Sequence, residues 1–144
     1  MSSEMLSAED FFEIQNLYGA YNLCSDLGDL DGYADCFTED GVLEVLPQGV
    51  RIAGKDALRE HKYRDLASRE GRYRRHWNGS LDLQRLDGGA VRGRCYLIAY
   101  NGEPGQMPTV ADCGVYEDHL VRENGAWRFN RRLLTMDATT WGRT

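Results

Sequence analysis

The segment TVADCGVYEDHLVRENGAWRFNRRLLTM, residues 109–136, contains two long runs on either side of the turn residues Glu123-Asn124-Gly125. Within each run apolar and polar side chains tend to alternate, which is typical of strands that bury one face. A short turn rich in Asn and Gly between such runs is a strong hairpin signal. We therefore predict paired antiparallel strands over Thr109–Arg122 and Trp127–Met136.

The same period extends towards the N-terminus from this hairpin. Two further long strands are predicted over Arg74–Leu86 and Val91–Tyr100, and the turn residues Asp87-Gly88-Gly89 join them. A short strand is predicted over Val42–Leu46, and Arg51–Ala53 is expected to pair back on it. The second half of the chain is therefore predicted to form a meander of long strands.

Helical spacing dominates the first half of the chain. Ser7 is the predicted N-cap of a first helix that ends around Cys24 to Gly28. A second, short helix is predicted from Asp29 or Asp31 to Phe37. The turn residues Asp40 and Gly41 are predicted to end this second helix. The first helix carries an apolar stripe formed by Phe11, Ile14, Leu17, Tyr18 and Tyr21.

A third helix is predicted over Asp56–Ser68, where charged residues and strong helix formers predominate. Its charges indicate a largely exposed helix outside the sheet. Helices followed by a meander predict an α+β fold, as one domain over residues 1–144. We expect a cone in which a curved antiparallel sheet, with three helices, encloses a cavity at its open end.

Composition limits the classes of function. The chain has 144 residues and a formal net charge of −6, which works against a nucleic-acid backbone as partner. Its four cysteines are spread singly, so we expect neither a zinc site nor a redox pair. Neither a signal peptide nor a run long enough to span a membrane is visible. These features predict a cytoplasmic protein with reduced thiols.

Polar residues inside otherwise apolar elements are the candidates for chemistry. His76 begins a predicted strand, and the ordinary pKa of histidine suits a general base. Tyr21 and Asp26 flank the end of the first helix, where an aspartate is equally typical of a simple helix end or turn. His61 and His119 are interpreted as surface residues, the latter on an edge-like strand.

The last predicted strand contributes one more candidate. Arg131 and Arg132 are adjacent, so one of them is expected to face the cavity and the other to face away. The inward one is suited either to hold a substrate oxyanion or to pair with Asp26.

The motifs IQNLYGAYNLCSDLGDLDGYADCFTEDG, RRHWNGSLDL and GVYEDHLVRENGAWRFNRR together resemble SnoaL-like domains of the NTF2-like superfamily. The resemblance covers the chain from about Phe11 to Met136. Within the superfamily it points to the group of scytalone dehydratase, the hexachlorocyclohexane dehydrochlorinase and the bile-acid 7α-dehydratase. A second histidine found in scytalone dehydratase has no clear equivalent here.

This resemblance implies a site. Asp26 and His76 fall on the dyad of the group, in which the aspartate orients the histidine that removes a substrate proton. Tyr21 falls on a position that is tyrosine in the bile-acid enzyme, so it is expected to act as acid or hydrogen-bond donor. The resemblance places Arg132 and Tyr116 at the substrate, and Trp77 is predicted to bind the substrate as well.

The resulting hypothesis is a cofactor-independent lyase that catalyses a dehydratase-type β-elimination on a hydrophobic, cyclic small molecule. An isomerase or cyclase of polyketide or steroid type would use the same dyad. Non-catalytic alternatives are the small subunit of a ring-hydroxylating dioxygenase and a ligand-binding protein. We expect a homodimer or homotrimer, with no nucleic-acid or membrane partner.

Overall fold

The computed structural model describes residues 5–141. Three α-helices precede or interrupt the strands: α1 (Ala8–Leu27), α2 (Leu30–Asp35) and α3 (Lys55–Ser68). Six strands form one sheet: β1 (Phe37–Leu46), β2 (Val50–Ala53), β3 (Tyr73–Arg85), β4 (Val91–Gly102), β5 (Thr109–Glu123) and β6 (Ala126–Thr139). The predicted α+β class with a curved sheet and three helices is confirmed.

Helix α1 begins and ends where the sequence predicts. The Ser7 side chain accepts a hydrogen bond from the backbone N–H of Asp10 at 3.1 Å, which satisfies an otherwise free donor of the first turn. Gly28 ends the helix in the left-handed conformation, with φ of 84°. One face of α1 is buried against the sheet and carries Ile14, Leu17, Tyr18, Tyr21 and Ser25.

The strands lie in the order β2-β1-β6-β5-β4-β3, so β2 and β3 are the edges of the sheet. Neighbouring strands are antiparallel except for β1 and β6, which run parallel. The prediction of an antiparallel sheet is therefore wrong for this one pair. Its cause is the route of the chain, because β1 pairs with its sequence neighbour β2 on one side and with the distant last strand, β6, on the other.

Strand β1 starts earlier than predicted, and Asp40 and Gly41 lie inside it instead of forming a turn. The pairing with β6 shifts between Phe37 and Val42, which marks a bulge at these residues. A Cβ atom on Gly41 would lie 2.7 Å from the Cβ of Phe37, so the bulge has room only for glycine. Turn-forming residues here bend a strand rather than end one.

The charges of α3 had predicted a helix outside the sheet, and this prediction is wrong. Leu58 and Lys62 are buried, at 0% and 6% exposure, and the helix packs against α2 and β1. Its inner face is polar because it forms a wall of a cavity, and a polar cavity wall has the same composition as a solvated surface. None of the helices within residues 5–141 is long and apolar enough to cross a bilayer.

Candidate active site

A cavity of about 530 Å³ opens between α1, α3 and the concave face of the sheet. Its walls contain aromatic, aliphatic and charged side chains in comparable numbers. The residues used below that line it are Tyr21, Ser25, Tyr33, His61, Lys62, Asp65, Arg69, Arg72, Arg74, His76, Asp112 and Tyr116.

Asp26 and His76 lie in contact at the wall of the cavity. The Asp26 Oδ1 atom is 2.5 Å from Nδ1 of His76, and Oδ2 accepts the His76 backbone N–H at 2.8 Å. Both side chains are buried, at 5% and 9% exposure for Asp26 and His76. A carboxylate only accepts hydrogen bonds, so it places the imidazole proton on Nδ1. Within residues 5–141, Nε2 has no hydrogen-bond partner and is left as the basic nitrogen at the cavity wall.

Burial lowers the pKa of His76, and the hydrogen bond and charge of Asp26 oppose that shift. The nearby positive charges of Arg74 and Lys62 lower the pKa further. The imidazole is therefore neutral near pH 7, which is the form that accepts a proton.

Three tyrosines form the aromatic wall of the cavity. Tyr21 and Tyr33 have ring centroids 5.1 Å apart and hydroxyl oxygens 3.3 Å apart. Tyr116 packs edge-on against Tyr21 at 6.5 Å between centroids. Burial raises the pKa of all three phenols, so each keeps its proton and remains a hydrogen-bond donor.

The adjoining wall is charged and comes mainly from α3. The Lys62 ammonium pairs with Asp65 at 3.2 Å and lies 4.6 Å from the centroid of the Tyr33 ring. Arg69 pairs with the same carboxylate at 2.5 Å and donates to the carbonyls of Ser25 and Asp26, both at 3.1 Å. Although burial opposes it, the charges of Lys62 and Arg69 lower the pKa of Asp65 to about 2. Helix α3 is thereby fastened to the end of α1 that carries Asp26.

Strands β3 and β5 supply a second ion pair at the cavity. Arg74 pairs with the buried carboxylate of Asp112 and donates to the Asn101 side chain at 2.9 Å. Asp112 also accepts from the hydroxyl of Thr139. Arg72 lies at the same wall, and no carboxylate within the described residues pairs with it.

Arg132 is the inward-facing member of its pair, while Arg131 faces outward and binds Glu44 at 2.8 Å. Arg132 nonetheless does not line the cavity, which corrects its predicted role at the substrate. It is fully buried and binds Asp118 at 2.9 Å, not Asp26. The Asp118 carboxylate also accepts from the Tyr18 hydroxyl at 2.5 Å. The rings that enclose the guanidinium belong to Tyr18, Tyr21, Tyr116 and Phe129.

Trp77 does not line the cavity either, although it was predicted to bind the substrate. It follows His76 on β3, so its side chain points to the opposite face of the sheet, where it is 66% exposed. His61 had been interpreted as a surface residue, but it lines the cavity, and burial lowers its pKa to about 4. His119 is half-buried on β5, which is an interior strand rather than an edge.

Sequence reasoning missed the charged wall, although a signal for it exists. Leu58, Lys62, Asp65 and Arg69 are spaced by four, three and four residues, which places them on one face of α3. A stripe that begins with an apolar residue and continues with charges indicates a partly buried polar face. Within residues 5–141 no group of three or more His, Cys, Asp or Glu side chains is arranged to hold a metal ion.

Comparison with known proteins gives a family and a fold. Residues 7–133 match the SnoaL-like domain family. Aln2 from a Streptomyces species superposes with a TM-score of 0.85 at 22% identity, covering 93% of this chain and 95% of its own. No curated protein shows significant sequence similarity to the chain.

Two other solved structures are closer in sequence. Rv3472 from Mycobacterium tuberculosis, described as a protein of unknown function, has a TM-score of 0.77 at 30% identity, covering 92% of this chain and 74% of its own. A protein from Catenulispora acidiphila was solved in complex with S-DNPA. It has a TM-score of 0.79 at 25% identity, covering 91% of this chain and 96% of its own.

Proposed function

Because the chain belongs to the SnoaL-like domain family, we propose that its cavity is the active site of a cofactor-independent lyase. The proposed reaction is a dehydratase-type β-elimination on a cyclic small molecule, in which His76 removes a proton from carbon. The ligand complex of the Catenulispora acidiphila neighbour supports a small organic molecule as the occupant of this cavity.

One observation carries the proposal: Asp26 binds Nδ1 of His76, so that Nε2, which has no partner in the described part of the chain, belongs to a neutral, buried imidazole at the cavity wall. When Nε2 takes a proton, the imidazole becomes a cation, and the adjacent carboxylate stabilises that cation. The second hydrogen bond, from the His76 backbone to Asp26, fixes the two groups in register. This arrangement suits a general base.

Tyr21 is the proposed acid or hydrogen-bond donor. Tyr21 lines the cavity, and burial keeps its hydroxyl protonated. The Tyr33 hydroxyl oxygen lies 3.3 Å from the Tyr21 hydroxyl oxygen. Tyr33 can therefore donate a hydrogen bond to Tyr21 while Tyr21 donates its proton to a leaving group. Arg132 contributes indirectly, because its guanidinium lies 4.3 Å from the centroid of the Tyr21 ring and positions that ring from behind.

An isomerase or cyclase is the second candidate, because both reactions begin with the same proton abstraction by His76. Product analysis separates the three: elimination releases water or another leaving group, isomerisation leaves the mass unchanged, and cyclisation adds a ring. A non-catalytic subunit or binding protein would have no need for the Asp26–His76 contact.

The test is turnover of cyclic β-hydroxy ketones, followed by the absorbance of the conjugated product. His76→Ala is expected to abolish turnover while the melting temperature changes little, because the imidazole lies at a cavity wall. His119→Ala is the matched control. His119 stands opposite the outward-facing Arg131, away from the cavity, and its loss is expected to leave turnover unchanged. A folded His76→Ala protein with wild-type turnover would contradict the assignment of His76 as the base.

We further propose that the protein acts in the cytoplasm as a homodimer or homotrimer. All four cysteines are unpaired, which supports a reducing compartment. Exposed apolar side chains on the outer face of the sheet support self-association, since water-exposed apolar patches commonly mark interfaces. They are Trp77, Tyr96 and Ile98, at 66%, 58% and 36% exposure.

A further inference from the structure

The cavity carries an excess of positive charge in an acidic protein. Among its lining residues, the cations Lys62, Arg69, Arg72 and Arg74 face only two carboxylates, Asp65 and Asp112. The excess remains when Asp26, behind His76, is counted as a third. Because the whole chain has a formal net charge of −6, this local excess is opposite in sign to the rest of the molecule. A cavity of this kind attracts anions.

Two of the four cations are committed to fixed partners. Arg69 binds Asp65 and two backbone carbonyls, and Arg74 binds Asp112 and Asn101. Lys62 differs from them. Its side chain is 7% exposed, and among residues 5–141 its ammonium has a single hydrogen-bond acceptor, Asp65, which it shares with Arg69.

An ammonium group has three protons to donate, so Lys62 retains unused donors inside a buried cavity. Burying a charged donor without full pairing costs free energy, and a ligand anion would remove that cost. The neighbouring Nε of Arg69 is likewise buried without a hydrogen-bond partner within the described residues. Lys62 on α3 and Arg69 at the C-cap of that helix thus have unused donors.

The other wall is suited to a ring system. Tyr21, Tyr33 and Tyr116 present a cluster of rings, and the Lys62 ammonium lies over one of them. A flat aromatic ligand resting on these tyrosines would therefore have one end close to Lys62. Rings with spare cationic donors beside them select a ligand that carries both an aromatic ring and a negative charge.

We propose that the substrate is an aromatic carboxylic acid, an inference that rests on the proposed function. Its rings pack on the tyrosine wall and its carboxylate binds Lys62, with Arg69 and Arg74 beside it. This refines the hydrophobic substrate predicted from sequence. A carboxylate is favoured because Asp65 and Asp112 already present that group to the same cations.

The test is calorimetric titration with 2-naphthylacetate and its neutral amide, which share one ring system. At low salt, wild-type protein is expected to bind the acid about tenfold or more tightly than the amide, as one charge-assisted contact provides. Raising the ionic strength is expected to reduce this preference. Equal affinities for acid and amide, or binding of neither, would overturn the proposal.

Lys62→Met is expected to abolish the preference and leave the affinity for the amide unchanged. Arg64→Met is the matched control on the same helix. The Arg64 side chain is 75% exposed and pairs with Glu60. Its replacement by methionine changes the net charge by the same amount as Lys62→Met. Loss of the preference in both variants would attribute it to net charge and overturn the assignment.

Should Lys62→Met fail to fold, the wild-type preference and its salt dependence decide the question. Binding is measured without turnover, so an inactive protein that prefers the acid would contradict the lyase while supporting the acid-binding cavity. An active enzyme without the preference would do the reverse.

Discussion

Asp26 accepts hydrogen bonds from both the ring and the backbone of His76. Asp26→Asn keeps a side chain of the same size and one acceptor, but it removes the negative charge that stabilises the imidazolium. We expect turnover to fall by roughly 10²–10⁴-fold, the scale for losing an acid–base group. Steady-state kinetics measure the loss, with thermal melting as the folding control. Unchanged turnover in a folded variant would show that the carboxylate does not assist the base.

The pKa of His76 also predicts a pH profile. Burial lowers it below the ordinary value of 6.5, and a base acts only when unprotonated. We therefore expect kcat/KM to rise with pH, to reach half its maximum below pH 6.5 and then to level off. The profile of kcat/KM against pH measures this directly. A half-maximum above pH 6.5 would contradict the assignment of His76 as a base buried in its neutral form.

At this scale the sequence identifies residue types better than partners. Asp26 and His76 are separated by 50 positions, and only resemblance to a family joins them before the structure does. Alternation along β6 correctly predicts that one of Arg131 and Arg132 faces inward. It cannot predict that Asp118 binds Arg132, because the choice of partner depends on how β5 and β6 pair in register.

Among the elements, β1 contains a position at which only glycine fits. Gly41→Ala would place a Cβ atom 2.7 Å from the Cβ of Phe37, so the bulge must shift or strain. We expect a loss of about 1–3 kcal/mol in the free energy of unfolding, as for other overpacked sites. Chemical denaturation measures it.

Gly79→Ala is the matched control for this change. Gly79 also lies in a strand, and an added Cβ there meets nothing within 4 Å. Its substitution is expected to change stability little. Equal losses in the two variants would show that glycine flexibility, and not the close approach at the bulge, accounts for the effect.

Elements with local signals are predicted well from the sequence. The Ser7 cap and Gly28 define α1, and the period of two defines β3 to β6 to within a few residues. The exposure of α3 is mispredicted because its charges face a cavity, and the start of β1 because Asp40 and Gly41 form a bulge. In both cases the determining contacts lie far away along the chain.

For the whole molecule, the outer face of the sheet predicts self-association. Trp77 and Ile98 stand opposite each other on β3 and β4, and a copy of this chain would cover them. Trp77→Lys is expected to shift a dimer or trimer towards the monomer in sedimentation velocity. Phe12→Lys, at a residue 66% exposed on α1, is the control and should leave the mass unchanged. A wild-type protein that sediments as a monomer would contradict the expectation.

Helix α1 runs along β3, which is an open edge of the sheet. Asn22 donates to Asn78 at 2.8 Å, and Asp26 occupies the backbone donor of His76 that would otherwise face outward. Unsatisfied donors on a strand edge invite pairing with other chains and hence aggregation. The carboxylate that orients the imidazole therefore also protects solubility. Asp26→Ala would remove both the orientation of the imidazole and the acceptor for the backbone N–H of His76, so its loss of activity would overstate the role of the carboxylate in catalysis. Asp26→Asn keeps an acceptor for that N–H at the edge of the sheet.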